Sequence, residues 1–173
     1  YMRRVAKNFP KNLLGLPWKI DFRIRVPQTT DLEINAGRGP VSIEGVEGAI
    51  NLSATEAETK MKLTGGIVIA NVAQGRLDLN IPVRSWRRGG AEIRVASGEL
   101  NVELPTGFNG DIDADILRNG RIENAYGNLE SREKPGITER IVRARAGAGG
   151  AFFRFTVGDG TIRIKRAVMS DEQ

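Results

Sequence analysis

The chain of 173 residues contains neither cysteine nor histidine. Without cysteine it has no disulfide bonds, no thiolate nucleophile and no cysteine-based metal site. Without histidine it lacks the side chain that most often acts as a general base near neutral pH and as a metal ligand. A chain without cysteine is stable in either redox environment, so the absence of cysteine does not indicate the cellular compartment. Enzymes that use a cysteine or histidine, and zinc proteins of the common types, are therefore excluded as function classes.

Long apolar runs are also missing from the sequence. A helix that crosses a bilayer needs about 18 consecutive apolar residues, and no run in this chain approaches that length. The apolar stretch at residues 13–18 is too short for a signal peptide and is interrupted by Gly15 and Pro17. We therefore expect no transmembrane segment in this chain. Because the sequence begins with Tyr1 rather than methionine, an upstream signal or anchor stays open.

The composition fits one folded domain, which we take as residues 1–173. Hydrophobic residues make up 40% of the chain, enough to supply a core. The net charge is +5, from 26 basic and 21 acidic residues. This excess is modest and is spread along the sequence, which favours a solvated polar face over a nucleic-acid interface. We therefore expect no specific recognition of nucleic acid.

Alternation of apolar and polar residues with a period of two is the main pattern, and it is typical of β-strands. Near the start, Ile20, Phe22, Ile24 and Val26 alternate with polar residues and Pro27 follows. Similar short runs recur along the chain, usually separated by glycine, Asn-Gly or Asp-Gly. No stretch has a helical period, and residues 54–60 are interpreted as loop or strand. The sequence therefore predicts an all-β domain.

A degenerate repeat that starts at glycine runs through these strands. Apolar residues follow Gly39 at offsets of two, four and seven, and the same offsets follow Gly65. Shorter versions start at Gly98 and Gly160, and Gly120 keeps one apolar position. One strand pair cannot bury its apolar face alone, whereas stacked rungs share a continuous core. The repeat predicts a single-domain β-solenoid, and an antiparallel β-sandwich is the alternative.

Three features occur in an order that resembles one known family. They are a strand, proline and second strand, then repeated Gly-x-Val rungs, then a closing rung, in residues 22–34, 39–52, 97–105 and 150–165. This order resembles a bacterial adhesin-type family of unknown function whose domains form "toast-rack" β-solenoids. The resemblance covers residues 20–166. It departs from the family pattern at the loop around Trp86 and at the Asn119-Gly120 rung.

The resemblance implies a non-catalytic scaffold or binding module of the bacterial cell envelope, periplasmic or extracellular. The family has no agreed catalytic residues, so none is carried over and no cofactor is expected. The expected partner is an unidentified protein or an anionic glycan at the cell surface, together with weak self-association. Two other functions stay open: a self-assembling β-helical scaffold similar to bactofilins, and a solenoid enzyme that acts on acidic polysaccharide.

The loop at residues 82–90 interrupts the repeat and carries the candidate ligand-binding residues. Arg84, Arg87 and Arg88 flank Trp86, one of two tryptophans. Guanidinium groups bind carboxylate or phosphate in a planar fork, and an indole face can stack on a sugar ring or a base. In the alternative, Trp86 packs on the solenoid wall and the arginines are solvated, because large aromatic side chains bury most of their area.

Three aspartates, Asp111, Asp113 and Asp115, alternate with apolar residues. A strand would place them in a line, about 7 Å apart, on one outer face. Calcium needs six to eight converging oxygens, so we interpret the line as a polar face and predict no metal site.

Two further segments lie outside the repeat. Residues 1–18 are interpreted as an N-terminal cap or the remnant of an upstream segment. Residues 131–150 contain Pro135 and a Gly-Ala-Gly-Gly tract, which predicts a mobile insertion.

Overall fold

The computed structural model describes residues 21–168, and the predicted cap at residues 1–18 lies outside this range. The described range contains strands and no helix, which confirms the all-β class. The strands are β1 (Leu32–Arg38), β2 (Val41–Glu44), β3 (Ala49–Lys62), β4 (Gly65–Asn80), β5 (Arg87–Leu104), β6 (Gly110–Ala125), β7 (Leu129–Ser131), β8 (Ile141–Ala146) and β9 (Phe152–Arg166). Residues 54–60, left between loop and strand by the sequence, lie within β3.

The strands form one sheet in the order β1-β3-β4-β5-β9-β6-β8-β7, with β2 also beside β3. Pairing is parallel from β1 and β2 through to β6. Between the named strands, antiparallel pairing occurs for β6 with β8 and β8 with β7, and one isolated antiparallel bridge joins Ile137 to Val142. This mostly parallel stack confirms the predicted β-solenoid, and the antiparallel sandwich is wrong.

Each long strand runs along two sides of the stack and bends between them. Leu63 and Thr64 alone separate β3 from β4, although these strands are parallel and in register from Ala49 to Lys62. The chain must therefore return to its starting edge within one strand. We call the strand halves before the bend wall A, which includes β1, and the halves after it wall B, which includes β2.

The bends align in one column of glycines. Gly75, Gly98, Gly160 and Gly120 are register neighbours on β4, β5, β9 and β6. Their φ angles lie between 132° and 143°, a region that glycine enters without the steric cost that a Cβ atom brings. The glycines therefore let β4, β5, β9 and β6 turn from wall A to wall B at the same place, whereas β3 has Ala57 at this register position.

The core lies between the two walls. On β4, Val68, Ala70 and Val72 of wall A and Leu77 and Leu79 of wall B are each at most 2% exposed. The same alternation on neighbouring strands adds to one contiguous cluster of buried residues. Alternation with a period of two therefore decides, strand by strand, which side chains form the core and which form the outer surface of a wall.

The strand order differs from the expected order at the C-terminal end. Residues 150–165 were expected to form the closing rung, whereas β9 lies between β5 and β6. The chain skips one place after β5, forms β6, and fills the gap with its last described strand. The insertion at residues 131–150 contributes β8, which pairs with β6 and covers wall A at this end. The mobile-insertion prediction therefore missed a strand.

Candidate functional site

Trp86 of the predicted ligand-binding loop is part of the core. Its side chain is 7% exposed, and its Nε1 donates hydrogen bonds to the carbonyl oxygens of Gly66 (2.9 Å) and Arg88 (3.0 Å). Its ring meets that of Phe153 edge to face, with centroids 5.4 Å apart. The indole therefore follows the packed alternative, and it does not offer an open face to a sugar or base.

The three arginines of the same loop are exposed but do not form one cluster. Arg87 and Arg88 open β5 beside β4, where Arg87 Nη1 lies 3.8 Å from Glu47 Oε1. A hydrogen bond from Thr64 lowers the pKa of Glu47, and the charges of these two arginines lower it further. Arg84 lies at the next connection, where its carbonyl oxygen accepts a hydrogen bond from Asn109. Two of the three predicted cations therefore meet at the edge of wall A.

The outer surface of wall A carries an apolar group that the sequence analysis did not single out. Ile67, Ile69 and Phe152 point outward and are 57%, 42% and 39% exposed. Gly90 is the register neighbour of both Ile67 and Phe152, so the strand between them carries no side chain at this position. Neighbouring strands are about 4.8 Å apart, so the two apolar side chains are about 10 Å apart across Gly90.

Arginine borders this apolar group. The guanidinium carbons of Arg154 and Arg132 each lie 5.6 Å from the centre of the Phe152 ring, within the range of cation–π attraction. Within residues 21–168, Arg154 has no carboxylate within 4.0 Å, and its side chain is exposed. We define the wall A patch as Ile67, Ile69, Gly90, Phe152 and Arg154.

A sequence signal for the wall A patch existed. Residues 65–70 read Gly-Gly-Ile-Val-Ile-Ala, and residues 151–153 read Ala-Phe-Phe. Both runs are apolar at consecutive positions. A strand with a period of two must turn one member of each such pair away from the core, so an unbroken apolar run in a solenoid indicates apolar residues on the outer surface.

The aspartate line of β6 is bound by arginine. Each carboxylate has a partner, in the pairs Asp111–Arg145, Asp113–Arg132 and Asp115–Arg143. The hydrogen bond from Arg145 lowers the pKa of Asp111. Across residues 21–168, no group of three or more acidic side chains is arranged to hold a metal ion. The aspartates therefore hold β8, and Arg132 in the connection that precedes it, against β6.

Wall B is a surface of paired opposite charges. Cross-strand ion pairs are Glu44–Lys62 (3.5 Å), Glu103–Lys165 (3.6 Å), Glu99–Arg163 (3.3 Å) and Glu123–Arg163 (2.8 Å). A shallow groove of about 410 Å³ runs over this wall and is lined by many of the same side chains. Exposed pairs of this kind contribute little stability individually. They do leave wall B with little uncompensated charge for a ligand.

All resolved pKa shifts in the described chain favour the charged form. The pKa is lowered for Glu47, Asp111, Glu123 and Asp159, and raised for Arg76, Arg118, Arg143, Arg145 and Arg163. For each of the nine groups the largest cause is a side-chain hydrogen bond, mostly between an arginine and a carboxylate. These shifts are those expected of side chains joined in ion pairs.

Acid should destabilise this fold because Asp111, Glu123 and Asp159 have lowered pKa values in the folded chain. Their pKa values are lower in the folded than in the unfolded chain, so the folded chain binds fewer protons. The resulting stability is fully present above the unfolded pKa of about 4 and is lost as the pH falls through the folded values. We expect the melting temperature, followed by circular dichroism, to fall steadily below about pH 4.

The variant Asp111→Asn identifies the source of this acid sensitivity. It removes one carboxylate with a lowered pKa, so its melting temperature should depend less steeply on pH below about pH 4 than that of the wild type. An unchanged melting temperature of the wild type down to about pH 2 would contradict the assignment of stability to these ion pairs.

Comparison with protein-family models, with curated proteins and with solved structures gives no match to this chain. The adhesin-type resemblance therefore stays a prediction. No helix between residues 21 and 168 has the length and apolar character needed to cross a bilayer.

Proposed function

We propose that this chain is a non-catalytic binding module of the bacterial cell envelope whose wall A patch holds an anionic glycan. The exposed apolar group Ile67, Ile69 and Phe152 beside Arg154 carries this proposal. Contiguous apolar side chains on a protein surface are typical of interaction sites, whereas single ones need no explanation. Here two strands of one sheet present three of them on either side of Gly90.

The charge around the patch favours an anionic partner. Arg154 lies on the patch itself, and Arg87 and Arg88 lie two to three residues before Gly90 on β5. The carboxylate between Ile69 and Arg154, Glu92, is neutralised by Arg94. Arg88 and Arg154 have no carboxylate within 4.0 Å in the described range, so their guanidinium groups are available. Guanidinium forks match carboxylate and sulfate oxygens. The exposed part of Phe152, whose ring already lies beside the guanidinium groups of Arg132 and Arg154, can contact the apolar face of a sugar.

The shape of the patch favours a polymer over a small molecule. Small-molecule sites are usually concave and enclose most of the ligand. The wall A patch is an open surface on parallel strands, with its apolar groups about 10 Å apart. A glycan chain that lies across the strands can contact Ile67 and Phe152 in consecutive sugar units. The contacts are few, so binding is expected to be weak and to depend strongly on salt.

The test is binding of heparin or another acidic polysaccharide to the wild type and to five single alanine variants. Arg154→Ala and Phe152→Ala should each weaken binding by about five-fold, since one exposed contact is worth about 1 kcal/mol. Alanine at Arg87 or Arg88 should weaken it less, because these side chains border the patch. Alanine at Arg84, at the next connection, should have the smallest effect of the loop variants.

The matched control is Arg121→Ala on wall B. This variant removes the same positive charge from an exposed arginine. Arg121 lies on wall B, away from the patch, and pairs there with Glu123. Equal losses for Arg154→Ala and Arg121→Ala would assign binding to the overall charge of +5. If neither the wild type nor any variant bound acidic polysaccharide at low salt, the glycan proposal would be abandoned in favour of a protein partner.

A further inference from the structure

Arg88 has an unusual backbone conformation for its residue type. Its φ angle is 64°, and every other residue with a positive φ angle in the described range 21–168 is a glycine. This left-handed region is costly for a bulky residue, because its Cβ atom crowds a backbone carbonyl oxygen. Such a conformation persists only where the surrounding structure enforces it, and it is found most often at ligand-binding and catalytic sites. Contacts within the fold must therefore hold Arg88 in place.

A bulge in β5 contains Arg88. The pairs Gly65–Arg87 and Gly66–Gly89 are consecutive on β4, so they leave Arg88 without a partner on that strand. A bulge changes the direction in which a side chain leaves the strand, and bulges are common next to functional sites. The direction of the Arg88 side chain is therefore set by the bulge and not by the alternation that governs the rest of β5.

The buried indole of Trp86 fixes this bulge from inside the fold. Its Nε1 donates hydrogen bonds to the carbonyl oxygen of Gly66 on β4 and to that of Arg88 on β5. One N–H group therefore joins the two strands at the point where their register shifts. Because the ring also packs on Phe153 in the core, it holds the Arg88 backbone against a rigid support.

The bulge lies directly beside the wall A patch. A Cβ atom on Gly89 would lie 2.6 Å from Cγ1 of Ile67, so the backbone next to Arg88 contacts an outward apolar side chain of the patch. The strands here are parallel. Along their direction, Arg88 precedes the row of side chains that contains Ile67, and Arg154 follows it. The two arginines therefore border this row on opposite sides.

The guanidinium group of Arg88 is available to a ligand. The side chain is exposed, and no carboxylate between residues 21 and 168 lies within 4.0 Å of it. Its charge does act on Glu47, whose pKa is lowered mainly by a hydrogen bond from Thr64 and further by Arg87 and Arg88. Glu47 already has Thr64 and Arg87 as partners, so it does not occupy the Arg88 guanidinium group.

We propose that Arg88 is a specificity-determining contact for the anionic groups of the glycan, and that Trp86 is a positioning residue that acts through Arg88. This inference rests on the proposed function and deepens it. An exposed arginine that had no such role would not require a left-handed backbone held by a buried indole. With Arg154 on the other side of the Ile67 row, the wall A patch then offers two guanidinium groups, one on each side of a polymer that crosses the strands.

Three substitutions of Arg88 separate its charge from its strain. Arg88→Ala removes the guanidinium group and keeps the strained φ angle, whereas Arg88→Gly removes both, because glycine enters this region freely. Arg88→Lys keeps the charge. We expect the dissociation constant for heparin to rise about three-fold in the Ala and Gly variants, and to stay near the wild-type value in the Lys variant. Binding by the first two should also depend less on salt.

Stability should change differently from binding in the same variants. Since only glycine relieves the strain, Arg88→Gly should unfold at a higher urea concentration than Arg88→Ala. Two variants that bind equally weakly but differ in stability would show that the loss of binding comes from the missing guanidinium group and not from a weakened fold.

A double-mutant cycle tests the role of Trp86. Trp86→Phe keeps an aromatic ring in the core and removes the N–H group that holds the Arg88 carbonyl. We expect it to raise the heparin dissociation constant about two-fold in the wild-type chain, and to have no further effect in the Arg88→Ala chain. Circular dichroism verifies that each variant is folded. The variants of Arg88 leave the core unchanged, so they test its contact independently of Trp86.

Two results would overturn this inference and leave the proposed function standing. One is wild-type binding by Arg88→Ala where Arg154→Ala binds more weakly. The other is an equal loss from Trp86→Phe in both chains, which would mean that Trp86 does not act through Arg88. A wild type that bound no acidic polysaccharide at low salt would contradict the proposed function itself, and this inference with it.

Discussion

Replacing Gly98 by alanine is expected to destabilise the domain by more than about 4 kcal/mol, which is at the extreme of single substitutions. A Cβ atom on Gly98 would lie 1.7 Å from the carbonyl oxygen of Gly75. This oxygen belongs to the backbone of the neighbouring strand, so it cannot move aside as a flexible side chain could. The φ angle of 141° adds a conformational penalty for any residue with a Cβ atom. The clash with the Gly75 carbonyl oxygen can be relieved only if β4 and β5 separate at the bend.

Gly37→Ala is the matched control for this substitution. A Cβ atom on Gly37 would meet no heavy atom within 4 Å, and its φ angle is not in the positive region. Alanine at a compatible position reduces the entropy of the unfolded chain, so we expect a change within about 1 kcal/mol. Urea unfolding followed by circular dichroism gives both free energies. If the two variants unfolded at the same urea concentration, the glycine column would not be needed for the bend.

The glycine column also explains why the sequence pattern predicted stacked rungs but did not distinguish two kinds of glycine position. The repeat starts assigned to Gly98, Gly120 and Gly160 are corners in the structure, whereas Gly65 begins a strand after a connection. In both settings a glycine precedes a strand half with alternating apolar residues, so the local pattern is identical. The pattern therefore predicted stacked rungs correctly. It could not separate the two positions at which each rung turns, because these differ only in their neighbours on adjacent strands.

The order of the strands in the sheet could not be predicted from the local pattern either. Alternation fixes which side chains of β9 face inward, but any rung of the solenoid would accept such a strand. Its place between β5 and β6 depends on contacts far apart in sequence, such as Gly160 against Gly98 and Gly120. In β8, small apolar residues alternate with Arg143 and Arg145. These arginines are held by aspartates 28 and 34 positions away, so the strand could not be recognised from its own composition.

The candidate site was predicted in part for a related reason. Trp86 and Phe152 are both aromatic residues near arginine in the sequence, but their partners differ. The indole N–H of Trp86 finds two backbone carbonyl groups inside the fold, whereas Phe152 takes the outward position of its strand. Local composition predicted that the loop is basic. The packing of the connections, which the sequence does not show, decided which aromatic ring is exposed.

Replacing Phe153 by alanine is the second substitution for which we expect a large effect, a loss of about 3–5 kcal/mol. Phe153 is 1% exposed. Its ring lies 5.4 Å from Trp86, 5.5 Å from Phe108 and 6.2 Å from Phe155, measured between centroids. β9 is hydrogen-bonded on both sides, to β5 and β6. The walls around the lost ring are therefore held apart and cannot collapse into the cavity.

Phe152→Ala, one position earlier, is the control that separates stability from binding. Its ring is 39% exposed and points out of wall A. Its loss removes contacts with Arg132 and Arg154, which we expect to cost less than about 1.5 kcal/mol. Urea unfolding should therefore distinguish the two variants clearly. Polysaccharide binding, measured where both are folded, should fall for Phe152→Ala and stay near the wild-type level for Phe153→Ala. Similar losses of stability in both variants would mean that the two faces of β9 are not separated as the structure has them.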